Sequence, residues 1–450
     1  MHLHKMPVLM SVLQLKSLNA KEQKAFSLHM LFSLIEGGIK GVLVLNEFVF
    51  LKSLQGSDYQ LGFLFQFSVL VFVFLIFINE FIRRNPYKRK VLRVTGILTR
   101  LPLLLLFFFP RDPEVIGSSG IYHIIFLGIF LIFFLYQPVV LPIINLLLKH
   151  NYRPENFGRL YSYGQTIHKI TMLLVTFGYG FLLDTNNFAF TYIWPVMGML
   201  GIFSIYMLSL IDYKPIIKDE PKRPFMSNVK TSITSMADIL RKHKAYLHFE
   251  ISFLFYGFAF MSSATVIVLF FDKELGLNYS SMAFYKNSYN ILAILLLPLF
   301  GRLIGRLDPR RYGIITYSSI LIFIFFVILT ELFPSYTTFL GIDIYYLLIG
   351  YIVFHGIFAA SMPLLWNIGS AYFCSNEDAD TYQAVHLSLT GLRAIFSPLL
   401  GVFFYQQFGF TVTFLIGMLA LGIGILILYY SEKNVKNLTL KKQSTESLVK

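Results

Sequence analysis

The sequence predicts an all-α polytopic membrane protein, with twelve transmembrane helices arranged as two pseudo-symmetric six-helix bundles. Composition is the first reason: 56% of residues are hydrophobic and 14% charged, whereas a soluble domain is about a quarter charged. The second is that apolar runs of about 20 residues or more recur throughout, about six in each half. The third is an internal repeat. Phe50-Leu51-Lys52-Ser53-Leu54 and Phe271-Asp272-Lys273-Glu274-Leu275 lie about 221 residues apart, and Pro142 and Tyr161 recur at the same interval as Pro363 and Tyr382. A repeat of six spans is far longer than a solenoid unit of about 20 to 50 residues. Two comparable bundles are what alternating access to a central site requires, so the arrangement points to a transporter.

In chain order, residues 1–25 read as a cytoplasmic N-terminal segment, because the apolar run around Met6 to Leu13 is short and lacks a small-residue cleavage site. The first span then acts as the insertion signal. Spans follow at 26–51, 59–82, 91–110, 120–148, 158–183 and 188–212, making an N-terminal bundle at 26–212. Residues 213–245 are the only long hydrophilic interruption and read as a cytoplasmic linker. Within it Val229, Ile233, Met236 and Leu240 recur at helical spacing, as in a helix lying on the membrane surface with Arg241, Lys242 and Lys244 toward headgroups. The second set of spans falls at 246–271, 280–305, 311–333, 342–369, 381–406 and 408–430, giving a C-terminal bundle at 246–430 and a cytoplasmic tail at 431–450.

The net charge of +14 does not imply nucleic acid, because the charges are sorted by side. With the N-terminus in the cytoplasm, about 30 of the 38 Lys and Arg fall in cytoplasmic segments, about 3 outside and about 5 within spans. This predicts a multi-pass protein of the cell membrane with both termini cytoplasmic, its basic loops touching anionic lipids. The turn at 374–380 is acidic instead and is expected to pair with a basic neighbour. One cysteine, Cys374, excludes an intrachain disulfide and a multi-cysteine metal site. No cofactor and no metal are expected, and the chain is expected to be a monomer.

After the second span, 79–89 carries Asn79, Arg83, Arg84, Lys88 and Arg89; after the eighth, 301–311 carries Gly301, Gly305, Arg306, Arg310 and Arg311. With twelve spans, a parallel six-plus-six repeat, a cytoplasmic linker and these basic turns, the chain resembles the major facilitator superfamily over nearly its whole length. The family's turn reads roughly G-x-x-x-D-R-x-G-R-R; the aspartate is missing from both copies here, and Glu80 stands where it can substitute in the first. The resemblance implies gating or latching roles for Arg84, Arg89, Arg306 and Arg310, alongside simple charge anchoring.

Polar groups held inside spans mark a pathway, since a charge in hydrocarbon is costly. Glu36, Lys40 and Glu47 share a stripe on the first span, beside Gly37, Gly38 and Gly41. Either carboxylate is a candidate proton carrier, or Glu36 and Lys40 neutralise each other as packing. The fifth span offers Tyr161, Gln165, His168 and Lys169, and the eleventh repeats the stripe with Tyr382, His386, Thr390 and Arg393. Arg393 offers a planar fork suited to carboxylate, sulfate or phosphate, or a partner for an acid such as Glu36. Lys286 and Asn290 lie one turn apart on the eighth span. His355, Trp366 and Asn367 lie on the tenth; Gln137 and Pro138 mark a kink in the fourth; Arg100 reads as a boundary error in the third.

Cations outnumber carboxylates among these groups, which favours a small polar or anionic solute over a lipophilic cation. The expected function is a secondary active transporter, opening outward and inward in turn, coupled to protons, with sodium left open. A multidrug-type proton antiporter is the runner-up, because 176–183 lacks the proline of that group's motif. A transporter-like receptor and a membrane acyltransferase-like enzyme remain as readings of another class. An enzyme is disfavoured, since no H-E-x-x-H, nucleophile elbow or phosphate-binding glycine loop occurs.

Overall fold

The computed structural model describes residues 18–118, 120–213, 225–374 and 379–448. The first expected span is built from α1 (Ala20–Leu43) and α2 (Asn46–Lys52). α1 begins before residue 26 because Asn19 and Glu22 form a capping box: the Glu22 amide donates to Asn19 Oδ1 at 2.8 Å and the Asn19 amide to Glu22 Oε2 at 3.2 Å. The second span is divided into α3 (Asp58–Leu70), a 3₁₀ turn at Val71–Phe74 and α4 (Leu75–Arg84). Alternating valine and phenylalanine in that turn disfavour a relaxed α-helix. α5 (Lys88–Arg100) tightens into a 3₁₀ stretch at Leu101–Phe108, where Pro102 lacks an amide donor.

α6 (Pro113–Ser118), α7 (Gly120–Phe134) and α8 (Gln137–Asn151) follow, and the break before Gln137 and Pro138 is the expected kink. α9 (Pro154–Thr185) and α10 (Phe190–Leu208) complete the first half. The linker contains α11 (Phe225–Lys242), whose Met236, Ile239 and Leu240 pack on the core. The N-terminal stretch 1–17, the charged stretch 214–224 and the acidic turn at 375–378 lie outside the described residues, as do the side chains of Asn79, Arg83 and Val229.

The second half runs α12 (Lys244–Leu269) with a π turn at Phe270–Glu274, α13 (Tyr279–Ile304), α14 (Pro309–Leu332), β1 (Tyr336–Phe339), β2 (Ile342–Tyr345), α15 (Leu348–Ile368), α16 (Ala379–Ala394) and α17 (Ser397–Leu448). The tenth span was expected from residue 342, yet that stretch is the second strand of a hairpin. Tyr336 pairs with Tyr345 and Phe339 with Ile342, around Leu340 and Gly341 at φ 50° and 75°. Two consecutive positive φ values make the tight hairpin turn that matches strand twist. In α17 two helices abut across Gly409, at φ 79°, a conformation that glycine adopts without strain.

Among the described residues ten helices are long and apolar enough to cross a membrane, rather than twelve. The second expected span is not among them, and the last two fall in one stretch, Thr381–Lys433, that runs through Gly409. α1 packs along α9 and α10, α12 along α17, and α15 against α13 and α14. The first half meets the second where α9 lies on α13 and where α3 lies on α16 and α17.

Candidate functional site

At the end of the molecule reached by α2, α9 and α12, polar side chains join the two halves. The Asp184 carboxylate accepts the amides of Tyr279 at 2.8 Å and Ser280 at 2.9 Å, together with the Ser280 hydroxyl. It therefore caps α13 from the opposite half, where the helix N-terminus favours negative charge. Ser53 Oγ lies 2.6 Å from the Tyr279 hydroxyl and donates to the Asn187 carbonyl at 2.6 Å. The repeat-related lysines cross over: Lys52 lies 3.9 Å from Asp272, and Lys273 lies 2.6 Å from Asp58, which also accepts Gln406 at 3.2 Å.

Deeper in, two buried carboxylates are fully engaged within their own halves. Glu36 (5% exposed) pairs with Arg100 (0%) at 2.8 Å and accepts the Ser204 hydroxyl at 2.8 Å. The Arg100 guanidinium lies over the rings of Phe133 and Tyr136, at 4.3 and 4.2 Å. Arg100 is thus a genuine intramembrane charge rather than a boundary error, and Glu36 meets neither Lys40 nor Arg393. In the second half Glu250 (4%) pairs with His386 (1%), Nδ1 lying 3.0 and 3.2 Å from the two carboxylate oxygens. Arg393 donates to the Phe253 carbonyl and lies near the rings of Phe253, Tyr256 and Trp366, at 5.9, 5.5 and 5.7 Å.

Lys40, Glu47 and Lys286 differ from these. Among the described residues none of their charged atoms has an ion-pair partner, yet the three interact electrostatically with one another. Their level is fixed by the neighbours that follow them. A Cβ on Gly41 would stand 2.7 Å from the Met172 carbonyl oxygen, and Asn287 Nδ2 donates to the Leu173 carbonyl at 3.0 Å. Lys40 of α1 and Lys286 of α13 therefore flank one short stretch of α9, from opposite halves. His168 and Lys169 lie just before that stretch, and His168 is within electrostatic range of Lys40. Gln165 is exposed a turn earlier.

Other expected residues are occupied locally. Asn290 donates to the Lys286 carbonyl at 2.6 Å, and Asn367 to that of Pro363 at 2.7 Å. His355 stacks on Tyr289 at 3.7 Å and Phe323 at 4.7 Å. Of the basic turns, Arg84 meets Glu80 of the same helix at 2.5 Å. Arg89 donates to the Ile211 carbonyl at 2.8 Å and lies 3.3 Å from Asp212. Arg310 pairs with Asp308 at 2.7 Å and reaches the Ser431 carbonyl at 3.0 Å, while Arg306 is exposed. The Lys24 hydrogen bond to Asp212, with help from Arg89, holds that surface carboxyl below its ordinary range.

Sequence reading missed Glu250 and the joined end with Asp58, Asp184, Asp272 and Tyr279. A signal for Glu250 existed: it is a carboxylate inside an apolar span, at the repeat interval from His29.

The structure resembles solved transporters over nearly all of its length. A peptide transporter of the POT type in complex with sulfate shares 15% identity at a TM-score of 0.64, covering 91% of this chain and 94% of that one. The xylose transporter XylE from E. coli, in an inward open conformation, shares 12% at 0.61, covering 90% and 95%. The nucleoside transporter NupG shares 13% at 0.59, covering 92% and 99%. At such identities the likeness shows the fold alone. No curated protein sequence matches the chain. The family model of the Major Facilitator Superfamily matches residues 26–350, well over half of the sequence. The chain is an integral membrane protein of the transporter class and belongs to the major facilitator superfamily.

Proposed function

We propose that the protein is a twelve-span secondary active transporter of the cell membrane, its six-helix halves 26–212 and 246–430 carrying a small polar or anionic solute by alternating access coupled to protons. The observation that carries this reading is the set Lys40, Glu47 and Lys286, drawn from both halves beneath the joined end and without ion-pair partners among the described residues. Two ammonium groups against one carboxylate leave a net positive site, and a solute carboxylate, sulfate or phosphate completes it. Gln165, His168 and Lys169 supply further polar contacts from α9. With both termini cytoplasmic, the joined end faces outward and the site opens toward the cytoplasm. Glu36, held by Arg100 and Ser204, serves packing in this reading, so the proton is carried elsewhere. A solved neighbour described as a D-xylose-proton symporter supports proton coupling over sodium. The multidrug antiporter reading is weaker, because a net positive site repels lipophilic cations.

The test is internal pH in proteoliposomes challenged with pooled metabolites sorted into anions, sugars, peptides and lipophilic cations. The expected result is a proton flux triggered by the anion pool and lost in Lys40→Ala and Lys286→Ala. A flux triggered by lipophilic cations, or one that survives both substitutions, sinks this reading.

A further inference from the structure

Among the described residues, His386 Nε2, Thr390 Oγ1 and Arg393 Nε are buried without a hydrogen-bond partner. Their residues occupy successive turns of α16 and so form one stripe. Buried polar atoms are nearly always satisfied, so three orphans in a row call for an explanation. The stripe lies against α12, where Glu250 holds His386 Nδ1 at 3.0 Å. An ionised carboxylate only accepts, which puts the ring hydrogen on Nδ1 and leaves the Nε2 lone pair free. The ring is fixed by perpendicular contacts with Phe253 at 4.6 Å and Trp366 at 5.2 Å.

Among the described residues, the titratable groups around it are Glu250, Tyr246 and Tyr256 from α12, Tyr317 from α14, and Tyr382 and Arg393 on α16 itself. α4 and α11 also pack on α16; they bring Glu80, Arg84, Asp238 and Arg241, and His243 follows α11 against the Tyr382 ring. From the opposite half α3 contributes Gln66, which is uncharged.

We propose that Glu250 and His386 are the proton-coupling site, a deepening that rests on the transport reading above. A proton delivered by water adds to Nε2 while Nδ1 keeps its hydrogen toward Glu250. The set Glu250, His386 and Arg393 then passes from zero to one positive charge, and release of the proton restores it. Arg393 stays charged throughout and repels a sodium ion from the same place. The charge change acts on the helix that slides against the other half: a Cβ on Gly391 of α16 would stand 2.8 Å from Val73, in the 3₁₀ turn after α3. Solute contact and proton contact thus fall to separate groups, Lys40, Glu47 and Lys286 for the one and Glu250 with His386 for the other.

The experiment needs no solute. Spin labels at Glu114→Cys and Thr337→Cys, in a Cys374→Ser background in lipid nanodiscs, report the distance across the joined end as pH is varied. The expected result is a pH-driven shift in the distance distribution that is lost in His386→Gln and in Glu250→Gln. His386→Arg, a cation throughout the accessible pH range, is expected to hold the acid distribution across the titration, which separates loss of a proton site from loss of folding. A shift retained in monodisperse His386→Gln with an unchanged midpoint overturns the proposal. So does a shift driven by sodium in place of acid. A distance that stays fixed at every pH and with every solute pool overturns alternating access itself, and the proton site with it.

Discussion

Along the seam between α1 and α9, glycine meets backbone and ring: Gly37 lies on the His168 carbonyl, Gly41 on that of Met172, and Gly164 on the His29 imidazole. In the repeat-related seam of the second half, α12 against α16, long side chains fill the same kind of space. Glu250 reaches His386, and Arg393 lies over Gly257 and donates to the Phe253 carbonyl. The first arrangement brings α1 and α9 into close contact through glycine. The second holds ionisable groups between helices, where a proton alters the interaction. The two seams lie at matching places of the sequence repeat, and their side chains differ.

The comparison can be broken most severely at the ion pair of the first half. Arg100→Ala leaves Glu36 buried without its partner, and such a loss costs about 3–5 kcal/mol; thermal unfolding of the purified protein should drop accordingly, with partial recovery in Arg100→Gln combined with Glu36→Gln. If Arg100→Ala unfolds like the starting protein, the pair is not structural. The seams themselves differ next. Gly41→Val drives a side chain into the Met172 carbonyl and should cost about 1–3 kcal/mol, whereas Gly257→Ala displaces only the movable end of Arg393 and should cost less; equal losses would erase the contrast.

Smaller effects lie at the joined end. Lys273→Ala removes a link from a partly exposed pair, worth about 0.2–1 kcal/mol, and should raise the reactivity of a cysteine introduced at Lys40, in a Cys374→Ser background, toward thiol reagents added from the outer side without unfolding the protein. Unchanged reactivity would show that the remaining contacts, Asp184 on α13 and Lys52 with Asp272 among them, hold this end without it. Smallest is the pH response of Asp212. Its carboxyl is held below the ordinary 3.8 by Lys24, so its contribution is present above that value and fades as pH falls through the lower folded value. Replacing Asp212 by Asn should leave the pH dependence of unfolding unchanged above about pH 5.

Long apolar runs made the spans legible, because each run need only match the thickness of a bilayer. The interruption at Val71–Phe74 and the hairpin at Tyr336–Tyr345 were not, since short β-branched and aromatic stretches read equally as span or strand. The repeat did point to His386 and Arg393, through Tyr161 and Tyr382. Pairing was harder. Glu36 and Lys40 lie one turn apart and invite a local bond, yet Glu36 turns to Arg100 on another helix while Lys40 faces the second half. Partners far apart in sequence leave no local trace, which is also why Arg100 looked misplaced and why Asp184 gave no hint of capping α13.

Lys52 and Lys273 occupy the same place in the two copies of the repeat, and each reaches a carboxylate of the other copy. In an isologous contact about a two-fold axis, equivalent lysines would meet equivalent carboxylates; here only the lysines correspond. Within a single chain, the lysine that recurs in both copies of the repeat becomes a fastening only where the other copy supplies a carboxylate. The carboxylates, Asp272 and Asp58, stand at unrelated positions of the repeat and must have arisen independently. The lock is therefore inherited on one side and improvised on the other, and its two links are free to diverge in strength while the axis between them is kept.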